Sequence, residues 1–322
     1  MKALCLYKFG GSEVLKYQDL LAPTAQIGCA IVRMQAIGLN FADIYRRRGN
    51  YHIAGEPPYI LGYEGAGIIE SLELSENSSI NFQVGDRVAF ADSPFANAEL
   101  VSVPLEKLIP LPVEIDFEVA AALLLQGLTA QYLINDSHQL QAGETILVHA
   151  VAGGVGLLLT QLAKLKGATV WGLTSTVAKA DIALQAGADR VWNYSAPWLS
   201  EILQLGKGVD VVYDSIGSTL NDSFKATRTG GHVVFYGMAG GEPPAIDPRM
   251  LMDTSKSLTG GDLWNVLTSQ AERIRRANAL FELVCADKLR PLISQTFALS
   301  EGAQAHDYLE GRGSIGKILL IP

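Results

Sequence analysis

From residue 1 to about 116, apolar and polar positions alternate in short runs broken by turn residues: KALCLYKF, then IVRMQAIGLN, GAGIIESLEL and GDRVAFAD. Alternation with period two predicts strands that bury one face. Gly85-Asp86 sets a turn before a β-prone run, and Pro104, Pro110 and Pro112 then interrupt regular structure on the approach to a domain boundary. Past them the rhythm changes. A helix is predicted over roughly 117–134, followed by apolar runs at 145–150, 169–174, 190–194, 209–217 and 232–237, each separated by a helix-length segment. Such runs need cover on both faces of a sheet, so the fold class is α/β, with a doubly wound parallel sheet and right-handed crossovers beside a β-rich unit. The last stretch holds a helix over 271–286, the run LRPLISQTFAL, a short helix over 301–310 and the apolar end KILLIP. It continues no βαβ rhythm, so it is expected to return to the first unit. The predicted domains are 1–124 with 266–322, and 125–265 inserted between them.

Composition narrows the function classes. Of 322 residues 48% are hydrophobic and 18% charged, and a chain of this length buries about three quarters of the surface its unfolded form exposes. Disorder is excluded. The 32 glycines suit many tight βα turns. A net charge of −8 argues against nucleic acid as the main partner, since such binding needs a cationic surface. Cys5, Cys29 and Cys285 lie far apart, which argues against a disulfide framework and a cysteine-rich zinc site. The start MKALCLYKFGG lacks a basic segment leading into an apolar one, and the apolar stretch 119–125 is far short of a membrane span. The reading is a soluble cytoplasmic protein with no membrane partner.

The strongest local signal is Ala150-Val151-Ala152-Gly153-Gly154-Val155-Gly156, directly after an apolar run and directly before the helical LLLTQLAKLKG. Small residues there let backbone approach a pyrophosphate, and the helix start offers free N–H groups and a positive dipole end. Val151 stands where G-x-G-x-x-G has its first glycine. The alternative is a tight turn that serves only helix packing. A dinucleotide with a free ribose 2′-OH meets an acid about 20 residues on, but here the chain reads Leu173-Thr174-Ser175-Thr176, with no acid before Asp181. That favours NADPH over NADH, with Lys179 and the nearby hydroxyls as donors to a 2′-phosphate. Lys179 is alternatively a solvated helix residue.

At this point the sequence resembles the zinc-independent quinone oxidoreductases (zeta-crystallin-like) of the medium-chain dehydrogenase/reductase superfamily. The stretches that carry the resemblance are 9–15 (FGGSEVL), 36–43 (AIGLNFAD), 62–67 (GYEGAG), 127–130 (GLTA), the 150–156 turn and 316–322 (GKILLIP). The resemblance implies a GroES-like catalytic domain and a Rossmann-type cofactor domain with the site in the cleft between them. It also places Lys179, Tyr194 and Arg312 at the adenosine 2′-phosphate, Asn40, Tyr45 and Thr129 on the nicotinamide side, and Tyr51 beside the substrate cleft. Ala152, Gly153, Gly154, Val155, Gly156, Thr174 and Ser175 complete the expected NADPH site. Zinc-dependent relatives carry a Cys near Asn40 and a His at the position of Tyr63. Neither is present here, and His52, His138, His149, His232 and His306 show no ligand-like spacing.

Without a Lewis acid, simple alcohol oxidation loses its usual support. Quinones and α,β-unsaturated carbonyls remain as acceptors, since they spread the incoming charge over a conjugated system. Tyr51 or Tyr45 then donates to the developing oxyanion and Asn40 orients nicotinamide or acceptor; the alternatives are an aromatic packing wall and an asparagine that satisfies a turn. Glu64 reads as structural. Trp264 is either an acceptor-pocket wall or a residue near a subunit edge. The run Tyr45-Arg46-Arg47-Arg48 reads as a solvated helix face or cleft rim. An enoyl or 2-alkenal reductase, and a non-catalytic NADPH-binding protein with an RNA-associated role, stand as alternatives. The resemblance further implies a homodimer formed through an edge strand, for which 257–263 is the candidate.

Overall fold

The computed structural model describes residues 1–74, 81–311 and 313–322. Arg312 therefore lies outside the described residues. The chain divides into two units, Met1–Leu125 with Leu267–Pro322, and Gln126–Val266.

The first unit is built on the long strand Cys29–Leu39, which pairs antiparallel with Gly65–Glu73, with Leu100–Pro104 and with the C-terminal strand Lys317–Ile321. Ile293–Ala298 adds to Lys317–Ile321 in parallel. Alternation along Cys29–Leu39 is incomplete: Arg33 is exposed, but Ala36 to Leu39 are all buried. Ala121 and Ala122 of the helix Phe117–Tyr132 pack with Ala36 and Leu319, so this end of the sheet is covered on its second face. The main core of the unit gathers Leu4, Val32, Met34, Ile37, Phe90 and Leu320. Immediately after the long strand, Asn40 caps the helix Phe41–Arg48, with its backbone N–H donated to the Asp43 carboxylate at 3.0 Å. The helix stops at Gly49, whose φ of +79° is the left-handed conformation of a helix end.

Among the described residues of the second unit, the strands Thr145–Val148, Thr169–Thr174, Arg190–Asn193, Val209–Asp214, Thr227–Phe235 and Ser257–Gly260 form one sheet, paired in parallel throughout. Numbered along the chain, their spatial order is 3-2-1-4-5-6, the doubly wound arrangement expected from the sequence. The order reverses between Thr145–Val148 and Val209–Asp214, and ligands of open α/β sheets bind beyond the carboxyl ends of the strands at such a switch point. The fifth strand begins at Thr227, five residues before the apolar run predicted it. Its first half, TRTGG, has no apolar pattern to read, and the register with the fourth strand shifts between Val209 and Val211. Ser257–Gly260 forms one edge of the sheet.

The continuous helical segment Phe117–Ser137 is long and apolar enough to cross a membrane by length and composition, but 67% of its most apolar window is buried inside the protein. It behaves as a core helix.

Candidate active-site residues in the two units

The glycine turn lies at the switch point of the second unit. The helix Gly154–Leu165 starts one residue after Gly153, which has extended backbone. A Cβ on Gly153 would meet only the Ala150 carbonyl oxygen, at 3.1 Å, so the backbone here is open to a ligand. Gly156 has a different role. A Cβ there would lie 2.5 Å from the Ala150 oxygen and 2.7 Å from the Val151 oxygen, so the helix sits too close to the turn for any side chain. Val151, in place of a glycine, is accommodated by Gly172 on the neighbouring strand, where a Cβ would fall 2.6–2.8 Å from the valine side chain.

A chain of buried polar groups holds the turn from below. Ala150 has φ of +49°, and its N–H is donated to the Tyr194 hydroxyl at 2.9 Å. That hydroxyl lies 3.2 Å from His149 Nδ1, His149 Nε2 lies 3.0 Å from Ser223 Oγ, and Ser223 Oγ lies 2.6 Å from Asp214 Oδ2. Burial lowers the His149 pKa, so the ring is neutral. One placement of protons then satisfies the chain: Ser223 donates to the carboxylate, His149 Nε2–H donates to Ser223, and Tyr194 donates to His149 Nδ1. Burial alone would raise the Asp214 pKa. The His149 ring, the Ser223 hydroxyl and the N–H groups of Gly217 and Ile216 outweigh it and hold the carboxyl below its usual range.

Thr174, Ser175 and Thr176 end the second strand with hydroxyls and no carboxylate. Thr176 caps the helix Val177–Gln185 by accepting the Lys179 N–H at 3.3 Å. Tyr194 joins this end through its own N–H, donated to the Thr174 carbonyl at 2.9 Å. Partial burial lowers the Lys179 pKa. Thr129 is buried in the helix Phe117–Tyr132, and Trp264 lies half-buried in the single turn Leu263–Asn265. The open turn, the helix start and an acid-free second strand carrying donors fit a dinucleotide with a ribose phosphate.

Asn40, Tyr45 and Tyr51 belong to the first unit. Asn40 is buried and its amide is held inward. Nδ2 donates to the Gly38 carbonyl at 3.1 Å and to Glu64 Oε2 at 3.0 Å, and Oδ1 accepts from Lys317 Nζ at 2.8 Å. Glu64 is fully buried, binds Lys317 at 2.5 Å and accepts the Leu125 N–H at 2.6 Å. The structural reading of Glu64 thus acquires a purpose: with Lys317 it clamps Asn40 at the mouth of the helix Phe41–Arg48. Tyr45 and Tyr51 meet edge to face with ring centroids 6.4 Å apart.

The basic run 46–48 is not a solvated face. Arg46 and Arg47 are 1% and 0% exposed, and only Arg48 faces solvent. Arg47 pairs with Glu310 and donates to the Gly10 carbonyl at 3.2 Å. Arg46 lies over the Tyr63 ring, 3.7 Å from its centroid. Among the described residues, no group of three or more His, Cys, Asp or Glu is arranged to hold a metal ion.

Comparison with known proteins agrees with both halves of this description. A family model described as the alcohol dehydrogenase GroES-like domain matches residues 26–142, and one described as zinc-binding dehydrogenase matches residues 154–280. The chain is 40% identical to a quinone oxidoreductase of Pseudomonas aeruginosa, over 98% of this chain and 97% of the relative. It belongs to the quinone oxidoreductase family of the medium-chain dehydrogenase/reductase superfamily. A 2-haloacrylate reductase of Burkholderia is 36% identical over 99% of this chain and 98% of the relative. The crystal structure of an Escherichia coli quinone oxidoreductase complexed with NADPH superposes with a TM-score of 0.95, at 34% identity and full coverage of both chains.

Several groups in this chain escape motif reading. Lys317 was visible as a lone cation inside an apolar terminal strand. Asp214 ends the run VDVVYD and is the one charged residue at the carboxyl end of a described strand in the parallel sheet of the second unit. His149 carries no sequence signal, since its partners Tyr194 and Ser223 are 45 and 74 positions away, and Ser223 reads as an ordinary helix serine.

Proposed function

We propose that this protein is an NADPH-dependent reductase of quinones that works without zinc. The observation that carries the reading is the glycine turn at the switch point of the sheet, followed on the next strand by hydroxyls where a carboxylate would repel a 2′-phosphate. NADPH, when bound, supplies the hydride. Gly153, Gly154, Val155 and the start of the helix Gly154–Leu165 hold the pyrophosphate with backbone N–H groups. Ala152 and Gly156 shape the turn, and Thr174, Ser175, Lys179 and Arg312 receive the 2′-phosphate. Tyr194 supports this end both ways, propping the turn through Ala150 and bordering Thr174. Thr129, Asn40 and Tyr45 line the nicotinamide side. Tyr51 donates a hydrogen bond, then a proton, to the oxygen on which negative charge develops.

The 2-haloacrylate reductase among the relatives favours a second reading, reduction of a conjugated carbon–carbon double bond by the same residues. Steady-state kinetics with NADPH, comparing 1,4-benzoquinone with a 2-alkenal and 2-chloroacrylate, separates the two. A kcat/KM at least tenfold higher for the quinone supports the first reading; the reverse order supports the second. We further place the protein in the cytoplasm and propose a homodimer formed through the edge strand Ser257–Gly260. A monomer in sedimentation at micromolar concentration contradicts the dimer.

A further inference from the structure

Arg46 is an unusual cation. It is 1% exposed, yet its charge is poorly compensated. Nε donates to the His52 carbonyl at 3.1 Å, Nη1 reaches Asp43 Oδ1 at a long 3.3 Å, and Nη2 has no hydrogen-bond partner among the described residues. Asp43 is a weak counter-ion, because its contact is long and burial raises its pKa, although Arg46 and the Asn40 N–H on its other oxygen pull the other way. A buried, unsatisfied donor on a charged group is destabilising, so the site is not arranged for stability alone. Two aromatic faces make up part of the deficit. The guanidinium carbon lies 3.7 Å from the Tyr63 ring centroid and 5.0 Å from that of Tyr51.

The two tyrosines differ in access. Tyr63 is buried, and burial raises its phenol pKa although Arg46 pulls the other way. It is a packing partner. Tyr51 is half-buried, tilted against His52 with ring centroids 4.1 Å apart and edge-on to Tyr45. The titratable and charged groups that face it include Tyr45 and Arg46 from the helix Phe41–Arg48 and His52 from the segment that follows, with Asp43 behind Arg46 and Tyr63 behind both Arg46 and His52.

We propose that Arg46 is a positioning residue whose charge makes Tyr51 an acid, taking the part that a metal ion plays where one is present. This rests on the reading that Tyr51 stands beside the acceptor. The step is a proton transfer: the phenolic O–H bond breaks, an O–H bond forms on the oxyanion of the acceptor that has received hydride, and water re-protonates the phenolate. A cation against the ring face stabilises the phenolate and so lowers the barrier to giving up the proton.

The test compares wild type with Arg46→Met, Arg46→Lys, Tyr51→Phe and Arg46→Met/Tyr51→Phe. Tyrosines are labelled with ¹³C at Cζ, and the Tyr51 signal is assigned by its loss in Tyr51→Phe. Arg46→Met is expected to raise the Tyr51 titration midpoint by about one pH unit, to lower kcat with 1,4-benzoquinone about tenfold and to move the alkaline limb of the kcat profile upward. KM for NADPH stays unchanged. Arg46→Lys, which keeps the charge, is expected to retain most of the kcat and to titrate close to wild type. In the Tyr51→Phe background, removing Arg46 is expected to cost nothing further. An unmoved Tyr51 midpoint overturns the proposal whether or not the protein reduces quinones. Equal losses of kcat in both backgrounds overturn it too, and an Arg46→Lys variant that folds but behaves as Tyr51→Phe does so even if Arg46→Met fails to fold. Failure of wild type to reduce any acceptor would instead count against the functional reading, leaving the midpoint to decide the role of Arg46.

Discussion

The Tyr194 hydroxyl accepts the backbone N–H of Ala150 at 2.9 Å, and so ties the end of the third strand of the second unit to the residue that turns the chain toward the glycines. Ala150 is not a glycine, yet its φ is +49°, a conformation L-residues adopt only when something holds them. Removing the hydroxyl by Tyr194→Phe takes the acceptor from a part-buried N–H, at about 0.5–1.5 kcal/mol. The expected result is a weakening of NADPH and NADH binding alike, by about tenfold, read by fluorescence titration of both cofactors. A loss confined to NADPH would mean that Tyr194 acts on the phosphate and not on the turn.

Lys179 provides the contrasting case. It sits at the first turn of Val177–Gln185, with Thr174 and Ser175 leading into the helix. Lys179→Ala is expected to raise KM for NADPH about tenfold while leaving KM for NADH within twofold, the value of one charge-assisted hydrogen bond. Equal effects on both cofactors would return Lys179 to an ordinary helix position.

The Lys317–Glu64 pair is buried on both sides, 1% and 0% exposed. Lys317→Met strands the carboxylate and removes the donor to the Asn40 amide, so unfolding in urea is expected to be easier by about 3–5 kcal/mol. Lys317→Met combined with Glu64→Leu is expected to recover much of that loss, because replacing both charges avoids desolvating either. Additive losses in the double variant would show that the ion pair itself is not the coupled element.

How much of this was legible in the sequence depends on where the signal was local. The apolar runs showed the strands around the glycine turn because a sheet covered on both faces excludes polar residues. TRTGG hid the first half of the fifth strand for the converse reason. The arginine run misled because three consecutive cations on a short helix look like a solvated face; two of them are instead covered by segments distant in sequence, Tyr63 above Arg46 and Glu310 against Arg47. The turn and its missing acid were readable from spacing. The supports of the turn at Asp214 and Ser223, and of Asn40 at Lys317, were not, because only the sheet order brings them together.

Stability should depend on pH through two histidines. His149 and His306 are fully buried, and burial lowers both pKa values, with the charge of Arg47 adding to the effect at His306, where the value falls to about 3. The unfolded chain binds protons that these sites refuse. Their contribution to stability is complete above the unfolded value near 6.5 and is lost as the pH falls from there toward the folded values, approaching about 1.4 kcal/mol per pH unit for His306 below the unfolded value. Urea unfolding between pH 7 and 5 is expected to show that slope, and His306→Leu to flatten it. An unchanged slope in that variant would remove His306 as a source.

An NADPH-specific reduction that needs no metal is what the glycine turn, the acid-free second strand and the lack of a metal-ligand group among the described residues point to. The most direct measurement is oxidation of NADPH and of NADH by the purified protein after exhaustive dialysis against EDTA, with 1,4-benzoquinone as acceptor. Turnover is expected to survive chelation, with kcat/KM for NADPH at least tenfold above that for NADH. Activity lost on chelation and restored by zinc, or an equal or greater preference for NADH, would contradict it.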